Sequence, residues 1–338
     1  MIDSTIRVVI PVSSTKPAVA CVGALVESSI RSEIEIVVVS DGVAEDELSE
    51  ALSPYEVKFV NAATARNAGV ARNQGARGFG GDILVFLDSD VIVEKQSLEK
   101  LVACIRNGEA DAVVGTYSHN VDCLNFWEAY KQLYVSNAYS RRRGYLYGEF
   151  WTALSAIRNC VFRELNGFST MFAGATGEDT ELGHRLSRLG YRVLAVPEAK
   201  GRHLKRLDFV ALVQNDFRKG IKSFHLLLTN KGRVTDFRHS TSRDIAAVVA
   251  AYLVPGVALL WSWLPLWLML VASSCYLAAR CDLLVVYRKK GAGFLLKSIP
   301  VMYLLDLVRG LCVPLGFWQL WKERLVSSFG RTWSSQRL

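Results

Sequence analysis

The feature that most restricts this chain is an apolar run that stops on two acids, Ile83-Leu84-Val85-Phe86-Leu87-Asp88-Ser89-Asp90. Five apolar residues are too few for a helix of ordinary length and fit a strand buried on both faces. Such strands sit in the middle of open α/β sheets, which bind ligands beyond the carboxyl ends of their strands. Two carboxylates one residue apart therefore stand where a ligand is expected. Hard divalent cations take oxygen donors and commonly use one or two carboxylates together with substrate phosphates. The competing reading is a solvated Asp-Ser-Asp turn, because both residue types are turn formers.

The flanking sequence supplies the rest of such a sheet. Residues 6–12 read as a first strand halted by Pro11 and a Ser-Ser-Thr loop, followed by a helix over 17–31. Ile36-Val37-Val38-Val39 is a second buried strand that runs into Asp41-Gly42. A short helix at 45–52, a strand at 57–61 and a small-residue helix at 65–77 complete the approach to the central run. Beyond Asp90 come a helix from Lys95 or Ser97 to Arg106, a strand at 112–117, an amphipathic helix at 123–139 and a strand at 151–157. Strand and helix alternate at βαβ spacing, which predicts a mostly parallel sheet covered on both faces. No GxGxxG follows the first strand, which disfavours a dinucleotide site. Asp41 reads either as an acceptor for a ribose or base or as a turn cap. Arg72 and Asn73 read equally as plain helix-face residues.

A second chemical cluster runs from Gly167 to Leu182 and delivers Glu178-Asp179 to the start of a helix over 180–189. Acids at a helix N-terminus complement its dipole. A carboxylate there also suits a general base that takes a proton from a hydroxyl. A closing strand is predicted over 190–197, with His203 in a basic loop behind it.

Charge is distributed unevenly. Residues 245–287 contain only Arg280 and Asp282 as charged groups, whereas the preceding sequence mixes charged and apolar residues as globular domains do. The net charge of +8 comes with no nucleic-acid motif, and its basic residues gather before and after the apolar block. That is a juxtamembrane pattern, so a membrane surface is the expected partner and nucleic acid is not. Residues 245–263 are long enough to span at about 1.5 Å per residue, with a return span over 266–287 after a turn rich in Trp261, Trp263 and Trp267. The flanking basic groups place both outer ends, and the catalytic region, on the cytoplasmic side of an inner or plasma membrane. Residues 299–321 carry Asp306 and Arg309 and read as a re-entrant or interfacial helix. The helix over 208–228 reads as interfacial. Seven cysteines without a CxxC pair fit a reducing compartment. The first residues lack a basic stretch before an apolar core, so no signal peptide is expected.

In order along the chain, Val9-Ile10-Pro11-Val12, Val38-Val39-Ser40-Asp41-Gly42, Asn67 to Gly75, Gly81 to Asp90, Asn166-Gly167-Phe168 and Gly177-Glu178-Asp179 resemble the motifs of the family 2 glycosyltransferases. The resemblance spans roughly residues 6–225. It implies a GT-A fold, a Rossmann-like, mostly parallel α/β sheet at 1–228. A basic linker at 229–244, an α-helical membrane region at 245–321 and a basic tail at 322–338 complete the expected division.

It further implies that Asp41, Asn67 and Arg72 hold the nucleotide of a sugar donor, UDP- or GDP-linked, with Pro11 and Glu178 as further substrate-binding positions. Asp88 and Asp90 would be the DxD pair, Asp90 on a Mg²⁺ or Mn²⁺ ion bridging the diphosphate and Asp88 on the sugar or ribose. His203 matches a weaker position near the diphosphate. Asp179 would deprotonate the acceptor, a lipid-linked or glycan hydroxyl, giving inversion and one sugar per event in cell-surface glycan or glycolipid synthesis. Two departures stand out. The usual Asp-Asp-Gly-Ser of the second strand is Ser40-Asp41-Gly42-Val43, and Gln214-Asn215-Asp216-Phe217-Arg218 replaces the QxxRW of processive members. Two alternatives are a nucleotidyltransferase of related architecture, which would release pyrophosphate, and a catalytically silent membrane scaffold.

Overall fold

Strand order, rather than any single strand, gives the acids their setting. The computed structural model describes residues 5–61, 67–122, 124–141, 144–171, 177–229, 242–260, 264–265 and 267–334. The chain divides into two compact units, residues 1–123 with 132–206, and residues 124–131 with 207–338.

In the first unit the order is β1 (Ile6–Val12), α1 (Thr15–Val26), β2 (Ile34–Ser40), α2 (Glu45–Leu52), β3 (Lys58–Asn61), α3 (Ala68–Ala76), β4 (Ile83–Leu87) and β5 (Val91–Val93). Next come α4 (Ser97–Arg106), β6 (Ala112–Tyr117), α5 (Phe126–Ser140, in this unit from Gln132 on), β7 (Gly144–Leu146), β8 (Leu154–Arg158), α6 (Asn159–Glu164), α7 (Glu178–Arg188) and β9 (Val193–His203). Among the described residues these strands form one sheet in the order β3-β2-β1-β4-β8-β6-β9-β5, with β7 on β9. The block β3-β2-β1-β4 is parallel, as the βαβ spacing predicts, and β6 and β9 are parallel to each other. Strand β8 runs antiparallel between β4 and β6. All five residues of β4 are buried, which is why that run has no polar alternation.

Several boundaries differ from expectation. Helix α1 ends at Val26 rather than continuing to residue 31, and α7 begins at Glu178, so both acids lie in its first turn. Strand β9 passes through Pro197 and ends on His203, placing that histidine on a strand instead of in a loop. The proline is accommodated because the β6–β9 register slips between Val114 and Thr116, and a residue without an N–H is tolerated where the ladder is interrupted.

The core packs against β4 from one side with aromatic rings. Phe86 lies 5.0 Å from Phe168 and 5.2 Å from Phe162 between centroids. The Asn73 side-chain amide donates to Phe168 O at 2.8 Å and accepts from Phe168 N at 2.9 Å. Gly167 sits at φ +69°, and a Cβ there would lie 2.4 Å from Asn73 Oδ1, so only glycine fits this docking. The segment before α7 is thereby fixed to α3.

The second unit contains α8 (Phe209–Thr229), α9 (Ser242–Leu259), α10 (Trp267–Ala279), α11 (Cys281–Arg288) and α12 (Ala292–Ser334). The aromatic turn at Trp261 and Trp263 lies outside the described residues. The expected return span is two helices, α10 and α11, bent by 66°. Helix α12 runs unbroken through Pro300 and Pro314, so the expected re-entrant or interfacial segment at 299–321 is part of a far longer helix. Among the described residues, 292–322 is long and apolar enough to cross a membrane, and the bent pair is a second candidate if taken as one span. Apolar side chains such as Leu296, Leu311, Trp318 and Trp321 are exposed, while Asp216, Arg280 and Asp306 are buried. Asp306 is fully buried and pairs with Arg280 and Arg309; Arg280 also pairs with Asp244, and Asp216 with Arg309 and Lys131.

Candidate active site

The carboxyl ends of β1, β2, β4 and β9 carry most of the residues singled out from the sequence. Pro11 is the next-to-last residue of β1 and stands in register with Val39 of β2. One residue on, Val12 O accepts from Asp41 N at 2.9 Å. Asp41 is buried, and its Oδ1 accepts from Asn67 N at 2.8 Å. The Asn67 side chain caps α3 by accepting from Val70 N at 3.1 Å. Asp41 therefore holds the start of α3 beside the β2 end.

At the end of β4, Asp88 and Asp90 remain about a third exposed. They point to different partners. Asp88 Oδ1 accepts from Arg72 Nη2 at 2.8 Å, and Arg72 Nη1 donates to Glu178 Oε1 at 2.9 Å. Arg72 is 3% exposed and Glu178 likewise, so the guanidinium is a buried cation bridging the two acidic motifs. Burial raises the Glu178 carboxyl, and neighbouring Asp179 adds to that, while Arg72 opposes both. Asp179, beside it in the first turn of α7, accepts from Thr180 N at 2.8 Å.

Asp90 faces His203 instead. Its Oδ2 lies 3.2 Å from His203 Nε2. Their backbones are already neighbours, since Val91 pairs with His203 in the β5–β9 ladder and Leu204 N donates to Asp90 O. Burial penalises the Asp90 carboxylate, but the hydrogen bond and charge of His203, with Lys205, hold it below the usual range. The donor pair suits a divalent ion: two cis ligands of an octahedral site at about 2.1 Å stand about 3.0 Å apart. Among the described residues no group of three or more His, Cys, Asp or Glu is placed to hold a metal unaided.

Three aromatic residues near this pair carried no signal in the sequence beyond their place in strands and helices. Tyr117, the last residue of β6, stacks on His203 at 5.0 Å between centroids. Its other neighbour is the edge of Trp151, which in turn stacks on Tyr139. Residues 62–66 and 172–176, which border the Asn67 and Gly177 motifs, lie outside the described residues.

Residues 8–165 match the family model described as glycosyl transferase family 2, and residues 132–207 match one described as the N-terminal domain of galactosyltransferase. The chain is similar to Glycosyltransferase GlyG of Streptococcus pneumoniae serotype 4, at 30% identity over 122 residues covering 35% of this chain and 40% of the relative. It is similar also to Glycosyltransferase GlyA of the same organism, at 31% identity over 122 residues covering 35% of this chain and 17% of the relative. The chain thus spans less than half the length of these curated relatives. Among solved structures, the mannosyltransferase PcManGT from Pyrobaculum calidifontis, in complex with GDP-Man and Mn²⁺, superposes with a TM-score of 0.55 at 16% identity, over 91% of this chain and 86% of that one. The likeness is one of fold.

Proposed function

We propose that this chain, whose residues 8–165 match the family 2 glycosyltransferase model on a GT-A-like fold, transfers one sugar from a nucleotide-sugar donor, with a divalent ion, to the hydroxyl of an acceptor at a membrane surface. The observation that carries this reading is the Asp90–His203 pair, 3.2 Å apart beside Asp88 at the carboxyl end of a buried central strand. Asp90 and His203 would hold a Mg²⁺ or Mn²⁺ ion, which would supply positive charge for the diphosphate that leaves. Pro11, Asp41 and Asn67 line the nucleotide end. Asp88 accepts hydrogen bonds from the sugar or ribose, and Arg72 holds its carboxylate in place while joining it to Glu178. Asp179 takes the proton of the acceptor hydroxyl as the new bond to the anomeric carbon forms. The bond to the diphosphate oxygen breaks with its electron pair on the leaving nucleoside diphosphate. Attack from the face opposite the leaving group inverts the anomeric centre.

The membrane part of the proposal rests on the apolar exposed faces of α9 and α12 and on the basic residues flanking the helices. They favour a catalytic unit on the cytoplasmic side of an inner or plasma membrane, with a lipid-linked acceptor within reach. A donor screen with UDP- and GDP-sugars and membrane extract as acceptor, reading nucleoside diphosphate release, tests the reaction. Asp179→Asn is expected to lower turnover by roughly 10²- to 10⁴-fold while donor binding persists. Undiminished turnover removes Asp179 from the mechanism, and pyrophosphate in place of nucleoside diphosphate points to a nucleotidyltransferase.

A further inference from the structure

The β5–β9 ladder decides where His203 stands in the chain, but a backbone ladder does not decide the plane of an imidazole ring. Within the same unit the Tyr117 ring packs against that plane, and Gln132 fixes the His203 backbone beneath it. Gln132 of α5 is 4% exposed, and its side-chain amide is fully engaged between two strand ends. Oε1 accepts from His203 N at 3.1 Å, while Nε2 donates to Ser118 O at 2.8 Å and to Asn120 O at 3.2 Å. The amide's orientation is forced, because its oxygen meets an N–H and its nitrogen meets two carbonyls. It ties the end of β9 to the residues that follow β6. Across this tie the Tyr117 ring lies at 22° to the His203 ring, in stacking contact. Trp151 backs Tyr117 edge-on at 4.6 Å, and Tyr139 backs Trp151 in a stack at 4.5 Å. Tyr117 and Tyr139 are buried, so this ladder of rings is a wall behind the histidine rather than a surface for a ligand.

We propose that Tyr117, by stacking on the ring, and Gln132, by holding the His203 backbone, are positioning residues that keep the His203 imidazole with Nε2 toward Asp90, making His203 a metal ligand pre-set before donor arrives. This inference rests on the donor-site reading given above. Outer contacts that fix a ligating histidine are typically worth roughly 10- to 100-fold in metal affinity. Ring stacking, not the Tyr117 hydroxyl, is the contact that matters, so substitution can separate the ring from the hydroxyl.

The test uses the full chain in detergent, with Mn²⁺ titrated by electron paramagnetic resonance in the presence of UDP or GDP. Spin-echo modulation from an imidazole nitrogen reports whether a histidine is bound to the ion. Gln132→Met and Tyr117→Leu are expected to weaken Mn²⁺ binding roughly 10- to 100-fold and to diminish the nitrogen modulation. Tyr117→Phe should match the unsubstituted protein in both. Nucleotide binding in EDTA should stay unchanged in all three, which a general loss of structure would not allow. Unaltered Mn²⁺ affinity in both Gln132→Met and Tyr117→Leu overturns the inference, as does unaltered affinity in His203→Ala. If Gln132→Met does not fold, the contrast between Tyr117→Leu and Tyr117→Phe decides the matter. Failure of the unsubstituted protein to bind Mn²⁺ with either nucleotide would instead sink the donor-site reading.

Discussion

Replacing Arg72 with Met tests whether one buried cation holds the two acidic motifs together. Methionine keeps the stem near Phe168, over whose ring the guanidinium sits at 5.6 Å, but leaves the Glu178 carboxylate without its charge partner. Removing one member of a buried ion pair costs about 3–5 kcal/mol. A ceiling comes from protonation, since Glu178 can take a proton instead of remaining charged. From an ordinary value of 4.5 that costs about 1.36 kcal/mol per pH unit, or about 3.4 kcal/mol at pH 7. The Asp88 arm, a third exposed, adds about 0–1 kcal/mol after allowance for solvent. Burial already raises Glu178 with Arg72 in place, so the expected loss is at most about 3–4 kcal/mol at pH 7, shrinking to at most about 1–2 kcal/mol near pH 5.5. Native-state hydrogen exchange of β1 and β4 amides in the full chain measures it, because opening free energies are read locally. Adding Glu178→Gln to Arg72→Met should recover most of the loss. A cost below about 1 kcal/mol at both pH values, or no relief from the second substitution, would refute the reasoning.

Other consequences are open to measurement. Gly75 lies where a Cβ would stand 2.4 Å from Val9 Cγ1 and 2.8 Å from Val39 Cγ2. Gly75→Ala should therefore destabilise the first unit by about 1–3 kcal/mol, seen as faster exchange across β1 and β2. Glu35, across from Arg7 in the β1–β2 register, pairs with Arg7 at 2.6 Å and with Lys58. Burial opposes its charge, but the Lys58 and Arg7 contacts win and lower its carboxyl below 4.5. A lowered carboxylate contributes stability above its unfolded value and loses it as pH falls through its folded one. The first unit should thus weaken below about pH 4.5, and Glu35→Gln should flatten that part of the profile.

The residues that were legible in the sequence are those whose neighbours in the chain explain them. Ile83 to Leu87 is apolar throughout because β4 is covered on both faces, and β6 over Ala112–Tyr117 coincides with its expected bounds. The strands β5 and β7 have three residues each, too few for any period to register. Pro197 made β9 look finished, although the register slip beside it lets the strand continue to His203. By local pattern Arg72 reads as a plain helix-face residue, and the family resemblance assigns it to the donor nucleotide. Its bridge from Asp88 to Glu178 joins positions 16 and 106 residues away in sequence, a pairing that no local pattern encodes. The same holds for Gln132 and Tyr117, whose meaning comes only from what β9 brings beside them.

The inward-facing charges of the helical unit bear on how this sequence is free to change over generations. Arg280 and Asp306 are both nearly or wholly enclosed and joined through two oxygens. Losing either alone leaves the other with one charged partner, Asp306 with Arg309 or Arg280 with Asp244, in place of the enclosed two-oxygen pairing, whereas exchanging both for apolar residues of similar bulk is closer to neutral. Each single step crosses a disfavoured intermediate, so the two positions drift as a couple or not at all. Collected relatives of this chain should show them present together or absent together, with Asp244 and Arg309 following the same rule more loosely because each keeps some contact with solvent.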